Sequence, residues 1–337
     1  MHKQIFIDPI NRNNSHLYFN TKSILNDQKS GNKMSTILIS EESLCKNINR
    51  ILTDIKGYRV KGTKANLLII KTYITLLSHK RKYDKITFLC LDNTIIPFLL
   101  LSSSFIFRNN KIIIYIHNNI DTLLNNRLKR LLHTLMLYFV EPEVVLITEK
   151  MHEEYITLFP KARTKLIPHY NYADVLEKIY PNTGLLDSKK CNISIVGRQA
   201  KLFRKNEMEK IAKMRFRTVQ VNFFGISKIV DNDGLFFFEE KLKDNDYFSV
   251  IQNSDFVLFA DDITSINRAS GVLMDTISLK TPFIAPNYGH YQEYAKFDVG
   301  LLYNDYDELL DILRKVEINR IKPQDFVGFN RALLYSS

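Results

Sequence analysis

Two stretches of this 337-residue chain place polar and charged residues where they could do chemistry. The first runs from Asn267 to Glu293. A polar turn, Asn267-Arg268-Ala269-Ser270-Gly271, precedes a helical run in which Val272, Ile277 and Leu279 are apolar and Asp275 is the carboxylate. A helix that starts at a Ser-Gly turn points backbone N–H groups and a hydroxyl outward, with the positive end of its dipole behind them. That is an anion site. Asp275 lies about one turn further in, within reach of a group attached to the anion, such as a ribose hydroxyl. A short apolar strand, Pro282 to Pro286, then leads to a Gly-containing loop that ends in Glu293. The plain alternative is an ordinary α/β turn with Ser270 as N-cap and Asp275 solvated.

The second stretch, Gly197 to Lys205, follows an apolar strand. Glycine lets the chain leave the strand in a tight turn. Arg198 and Lys205 then offer separated cations that can neutralise a diphosphate. A solvated basic loop is the alternative. Three histidines also stand at strand ends or beside the loops that follow them. His117, with Asn118, closes the run Lys111–Ile116; His169 follows Lys165–Pro168; His16 lies beyond the first strand, near Asp8. In an α/β sheet the carboxyl ends of strands are where ligands meet the protein. His117 is therefore well placed for function. A satisfied structural histidine is the ordinary alternative for each.

The order of these motifs resembles that of GT-B glycosyltransferases, above all family 4 and the capsule and O-antigen enzymes near it. In that family a strand closing on His-Asn, an Ile-Pro-His segment, a Gly-Arg followed by Lys, an Asp before a strand, and a Ser-Gly helix start before Pro-x-Ile-Ala-Pro and Glu come in sequence. Here these are His117-Asn118, Ile167-Pro168-His169, Gly197-Arg198 with Lys205, Asp255, and the stretch from Ser270 to Glu293. The resemblance spans about Lys111 to Val316. Two positions depart from it: Asp275-Thr276 stands where Glu-Ala is usual, and Asn267 where many members have the first Glu of a pair. The resemblance implies two doubly wound Rossmann-like α/β domains facing across a cleft, and a nucleotide diphosphate sugar held by Gly197, Arg198, Lys205, Asn267, Ser270, Gly271, Asp275 and Glu293. It implies transfer of that sugar to a saccharide or an undecaprenyl-diphosphate-linked acceptor, as in bacterial surface polysaccharide biosynthesis, with no metal and no bound cofactor. His16 and Asp8 stand where related enzymes place acceptor-side residues, so the resemblance makes them, with His117, candidate catalytic bases, and Asn118 and His169 candidate lining of the cleft. With Asn267 in place of a carboxylate, retention and inversion both stay open.

Composition bounds this reading. Hydrophobic residues make up 45% of the chain, ample for two cores. The three cysteines, Cys45, Cys90 and Cys191, are far apart and suit a reducing compartment without a disulfide framework or zinc site. The N-terminus turns polar too soon for a signal peptide, which points to the cytoplasm, with the inner face of the plasma membrane as a station. The apolar segment 86–107 is interrupted by Asp92-Asn93-Thr94 and Pro97, and reads as a buried strand, a polar turn and a helix. Charge is uneven: residues 1–175 hold 25 Lys and Arg against 14 Asp and Glu, while residues 176–337 hold 22 of each. The net +11 thus resides in the first half, which suits an anionic partner such as a lipid diphosphate or a membrane surface. Nucleic acid is disfavoured, because Tyr58, Arg59 and Lys61 are the nearest approach to aromatic residues interleaved with cations.

The elements that must position these residues alternate. Strand-like runs at 3–8, 35–40, 86–91, 111–116, 144–148 and 165–168 are separated by helical runs, including Ala65 to His79 and an amphipathic one from Asp121 to Phe139 that either packs on its domain or lies on a membrane. A polar segment with Pro181 and Gly184 marks the boundary. We expect an acceptor domain over 1–175, a nucleotide-sugar domain over 190–318 with four short strands, and a tail, 319–337, that crosses back to the first. Two rival functions share the pattern: a nucleotide-sugar epimerase, and a catalytically silent binding protein.

Overall fold

A computed structural model describes residues 3–11, 16–29, 35–61, 65–79, 83–91, 95–100, 110–117, 120–176, 180–230, 234–260 and 267–335. Asn118 and the turn 92–94 lie outside them. The chain divides into two compact units, Met1–Tyr170 with Asn267–Ala269, and Asn171–Ile266 with Ser270–Ser337.

The first unit is built on a seven-stranded sheet: β1 (Lys3–Ile7), β2 (Ser35–Glu41), β3 (Lys56–Val60), β4 (Lys85–Phe88), β5 (Lys111–Ile116), β6 (Glu143–Leu146) and β7 (Arg163–Leu166). All are parallel, in the order β3-β2-β1-β4-β5-β6-β7. Ile5 is registered between Ile37 and Ile86, and Ile112 to Ile116 are buried throughout. Continuous burial is what a parallel sheet covered on both faces requires, and explains why the central strands are unbroken apolar runs. The strand order reverses direction between β1 and β4, so the crevice beyond their carboxyl ends is the topological place for a ligand.

The second unit repeats the plan with β8 (Cys191–Ile195), β9 (Val219–Phe224), β10 (Leu235–Phe238), β11 (Phe256–Leu258), β12 (Phe283–Pro286) and β13 (Gly300–Tyr303), again parallel, in the order β10-β9-β8-β11-β12-β13. Its reversal lies between β8 and β11. Six strands stand where the sequence suggests four. The two missed ones, β10 and β13, are the sheet's edges; one is an apolar run without alternation and the other starts on glycine. The first sheet's edge strand β3 was missed as well. Its Gly57 is needed for packing, because a Cβ there would come within 2.4 Å of Cys45 Sγ on the helix Glu42–Ile51. Residues 319–335 pack in the second unit, with Phe326 against Phe256 and Tyr335 against Tyr294 and Phe297.

The run from Asp121 to Phe139 is not one helix. It divides into Ile120–Asn125 and Arg127–Val140, because Asn126 takes an extended conformation and its Oδ1 accepts the Lys129 N–H at 3.0 Å. The second of these helices buries His133 and Met136 and leaves Leu128, Leu131, Tyr138 and Phe139 exposed by 66, 55, 74 and 56%. Among the described residues no helix is long and apolar enough to cross a membrane.

Candidate active site

The second unit brings the Gly197 turn and the helix that starts at Gly271 together at its topological reversal. Gly197 follows β8 with φ of 63°, a left-handed conformation that glycine adopts without penalty. A Cβ at this position would stand 3.8 Å from Val272 Cγ2, so the turn lies against the first turn of the helix Gly271–Ser278. Gln199, which sequence reasoning passed over, fastens the other flank: its Oε1 accepts the Ala260 N–H beyond β11 at 3.1 Å. Arg198 is exposed between these two anchor points. Lys205 is also exposed, begins the helix Lys205–Ala212, and stands 3.9 Å from Glu209.

Ser270 caps its helix, with Oγ accepting the Leu273 N–H at 3.2 Å. Its own N–H does not point to open space. It donates to Nδ1 of His290, at 3.0 Å. His290 is buried, and burial pushes its pKa down to about 3, so the ring is neutral and Nδ1 serves as acceptor. The expected pair of outward amides is therefore corrected: Ser270 spends its N–H on His290, while Gly271 is exposed, with nothing near the place a Cβ would fill. Glu293 is buried within the short helix Gly289–Ala295.

Asp275 departs from the solvated alternative. The residue is half-buried, and desolvation raises its pKa to about 7 against the opposing effect of a hydrogen bond from Tyr247. The Tyr247 hydroxyl donates to Oδ2 at 2.7 Å. Tyr247 comes from another helix, Asp244–Gln252, so no spacing in the chain announces the pair.

Asn267 is held in the first unit. Its Nδ2 donates to Asp121 Oδ1 at 2.9 Å, Arg268 Nε stands 3.5 Å from Oδ2 of the same carboxylate, and the Ala269 N–H reaches the His117 carbonyl at 3.4 Å. The side chain expected beside a donor sugar thus has a partner of its own. Asp255 has a structural place, its Oδ2 accepting the Asn192 N–H at 2.7 Å.

In the first unit the carboxyl edge brings the three histidines together. Ring centroids of His16 and His117 are 4.7 Å apart, and those of His117 and His169 are 6.3 Å apart. Phe19, from the helix Leu17–Lys29, fills the space among them at 4.4 Å from His117 and 5.1 Å from His169. His117 donates from Nε2 to the Leu89 carbonyl beyond β4 at 2.8 Å, which leaves Nδ1 as its lone-pair nitrogen. Burial, then His16, then His169 hold its pKa well below the usual imidazole value. His16 is also lowered by burial, against the raising effect of Asp8. It occupies a left-handed conformation, φ 57°, rare outside glycine, and its Nδ1 has no hydrogen-bond partner among the described residues. Asp8 is fully engaged. Oδ1 accepts the N–H groups of Ile10 and Asn11, and Oδ2 the side-chain amides of Asn11 and Asn20 at 2.8 and 2.6 Å. Four donors make Asp8 a fastening for its loop.

Two doubly wound parallel sheets with these strand orders define the GT-B fold. Known structures agree over nearly the whole chain. Anabaena Alr3699/HepE in complex with UDP-glucose superposes with a TM-score of 0.70 at 14% identity, covering 100% of this chain and 94% of that one. Sucrose-phosphate synthase from Thermosynechococcus elongatus gives a TM-score of 0.65 at 12% identity, covering 98% and 93%. WaaG, a glycosyltransferase involved in lipopolysaccharide biosynthesis, gives 0.62 at 12% identity, covering 99% and 95%. No protein-family model matches the chain, and no curated protein matches it in sequence.

Proposed function

We propose that this chain is a glycosyltransferase that moves a hexosyl group from a nucleoside diphosphate sugar to a saccharide or lipid-linked saccharide of a bacterial surface polysaccharide. The observation that carries the reading is the seating of the Gly197 turn against the first turn of the helix Gly271–Ser278, beside the exposed Arg198. As the glycosidic bond breaks, negative charge grows on the departing diphosphate. Arg198, Lys205 and the Gly271 N–H stabilise that charge in the role a metal plays elsewhere. Asp275 takes ribose hydroxyls, and Glu293 lies toward the sugar. UDP is the first nucleotide to test, since HepE is known in complex with UDP-glucose.

The first unit then takes the acceptor. His16 removes the proton of the attacking hydroxyl through Nδ1, while His117 and His169 line the site. The excess positive charge of residues 1–175 and the exposed apolar stripe from Leu128 to Phe139 favour a lipid-linked acceptor met at an anionic membrane face. A second reading, a silent GT-B protein that binds nucleotide sugar without transfer, rests on Asn267, whose amide replaces a carboxylate and is committed to Asp121.

Thermal unfolding with UDP, UDP-glucose and GDP, without metal, tests the donor site. A rise in Tm that disappears in Arg198→Ala supports it. No shift with any nucleotide overturns it. Binding without release of UDP in the presence of lipid-linked saccharides favours the silent reading.

A further inference from the structure

Asp275 is the shorter carboxylate at a position where the resemblance calls for glutamate, and it is held between two tyrosines. From the helix Asp244–Gln252, Tyr247 donates to Oδ2 at 2.7 Å. From the segment after the first unit, Tyr172 is buried close enough for the negative charge of Asp275 to raise its pKa, and its N–H donates to Ser278 Oγ on the helix that carries Asp275, at 2.8 Å. The hydrogen bond from Tyr247 occupies one carboxyl oxygen and stops rotation about the Cβ–Cγ bond. Oδ1 has no protein partner among the described residues.

We propose that Tyr247 is a positioning residue of the donor site: it holds Oδ2 of Asp275 so that Oδ1 receives a ribose hydroxyl, and it makes donor binding depend on the ionisation of that carboxyl. The inference rests on the donor-site reading above. An ionised carboxylate accepts hydrogen bonds at both oxygens, so Oδ1 can take a hydroxyl while Oδ2 keeps Tyr247. A protonated carboxyl must place its hydrogen on one oxygen and loses acceptor capacity there. The shift of Asp275 to about 7 puts this exchange in the neutral range.

The surroundings leave few other groups to blame for such a dependence. On the helix of Tyr247, Asp244 is exposed and Asp246 half-buried, and burial and Tyr247 together account for the shift of Asp275. Tyr294, on the helix Gly289–Ala295, acts on Tyr172. Arg331, on the helix Phe329–Tyr335 that packs against the other side, is exposed. His290 is held neutral down to about 3 and does not change charge near neutrality.

The test is the affinity of the full chain for UDP-glucose, with GDP-mannose alongside, by calorimetry from acid to mildly basic pH. Nucleotide sugars are the right probes, because their diphosphate lacks the terminal phosphate of UDP, which itself titrates at about 6. We expect affinity about tenfold weaker at about pH 6 than at about pH 8, the ratio for one required deprotonation near 7. In Tyr247→Phe the hydroxyl that favours the anion is gone, and the midpoint moves to higher pH. Asp275→Asn binds more weakly and without pH dependence, and adding Tyr247→Phe to it changes nothing further. A Tyr247→Phe profile that overlies the wild type, with Tm unchanged, overturns the inference; so does pH dependence that survives in Asp275→Asn. Binding that is flat with pH in the wild type defeats this inference and leaves the donor site standing. Failure of the wild type to bind either nucleotide sugar at any pH defeats both.

Discussion

The two units carry the same topology, yet the carboxyl edges of their sheets are furnished in opposite ways. The first unit's edge is lined by rings: His16, His117 and His169 around Phe19, with the pKa values of His16 and His117 lowered by burial. The second unit's edge is lined by backbone and cations: a left-handed glycine, an exposed glycine at a helix start, and Arg198. Duplicated topology therefore fixes where ligands arrive, at the reversal of strand order, and leaves their chemistry to a few side chains and loop conformations. A nearly neutral, ring-lined edge suits a saccharide and a proton transfer. A cationic, amide-lined edge suits a diphosphate.

The sharpest way to break this comparison is to disable one edge and measure both functions. Under the proposed division, His16→Ala lowers turnover by roughly 10²-fold or more, the usual worth of a general base, and leaves UDP-glucose affinity nearly unchanged. Arg198→Ala does the reverse to binding, weakening it by about 10- to 100-fold through loss of one charge-assisted contact of about 1.5–3 kcal/mol. Steady-state kinetics together with calorimetry separates the two. Equal loss of affinity in both variants removes the division. Gly197→Ala acts on the same edge more gently, since a left-handed alanine costs about 1–2 kcal/mol, so donor affinity falls by about tenfold where the turn alone pays that strain.

The ionisable groups of the two units sharpen the comparison through stability. His290 in the second unit and His117 and His133 in the first have pKa values depressed by burial, to about 3 for His290 and about 4 for His133. For a lowered histidine the unfolded chain binds the proton more readily, so stability is lost as pH falls from the ordinary value of 6.5 toward the folded one. Asp275 has the opposite sign. Its raised pKa makes the ionised form unfavourable in the folded state, so its contribution falls as pH rises from the ordinary 3.8 to about 7. Denaturant titrations should then show His290→Phe losing less stability than the wild type between about pH 6.5 and pH 4, by a few kcal/mol at most. Asp275→Asn should gain stability relative to the wild type at pH 8 and little at pH 4. Parallel pH profiles for wild type and both variants would show that neither group is desolvated as described.

Much of the frame was legible in the chain, and the reasons are local. The central strands are long β-branched runs such as Lys111–Ile116, and the helix Ala65–His79 has clear helical spacing. Gly197, Arg198, Ser270 and Gly271 stand out in the chain because a strand end and a helix start are locally marked, and the structure seats the Gly197 turn against Val272 of that helix. The edge strands β3, β10 and β13 could not, because only one side of each is paired and their residues need not alternate. Partnerships across sequence were hidden for a different reason. His290 to Ser270, Tyr247 to Asp275 and Asn267 to Asp121 join residues 20, 28 and 146 positions apart, and each is decided by packing and not by spacing. The four donors that hold Asp8 are likewise fixed by the folded loop and by Asn20, and not announced by the chain.

The smallest effect concerns the break at Asn126, which separates the helix lying near the first unit's site from the one that carries the exposed stripe. Uninterrupted periodicity from Leu124 to Leu135 argues for a single helix. What ends it is one residue in an extended conformation whose side chain caps the next helix. Asn126→Ala removes the acceptor of the Lys129 N–H and should cost about 1 kcal/mol, a typical N-cap loss. Alanine is also the best helix former, so the same change favours fusing the two segments into one. The two contributions oppose each other and have different signatures. If loss of the cap dominates, Tm falls and far-ultraviolet ellipticity is unchanged or weaker. If fusion dominates, ellipticity deepens, and the tie between Arg130 and the Leu123 and Leu124 carbonyls, which holds the corner at 3.0 and 2.6 Å, must be given up. That tie spans the break with a charged donor on two helix-end carbonyls, and such bonds are worth more than the propensity gained at one position. The fall in Tm is the expected outcome. Arg130→Ala in addition should then allow the helices to fuse.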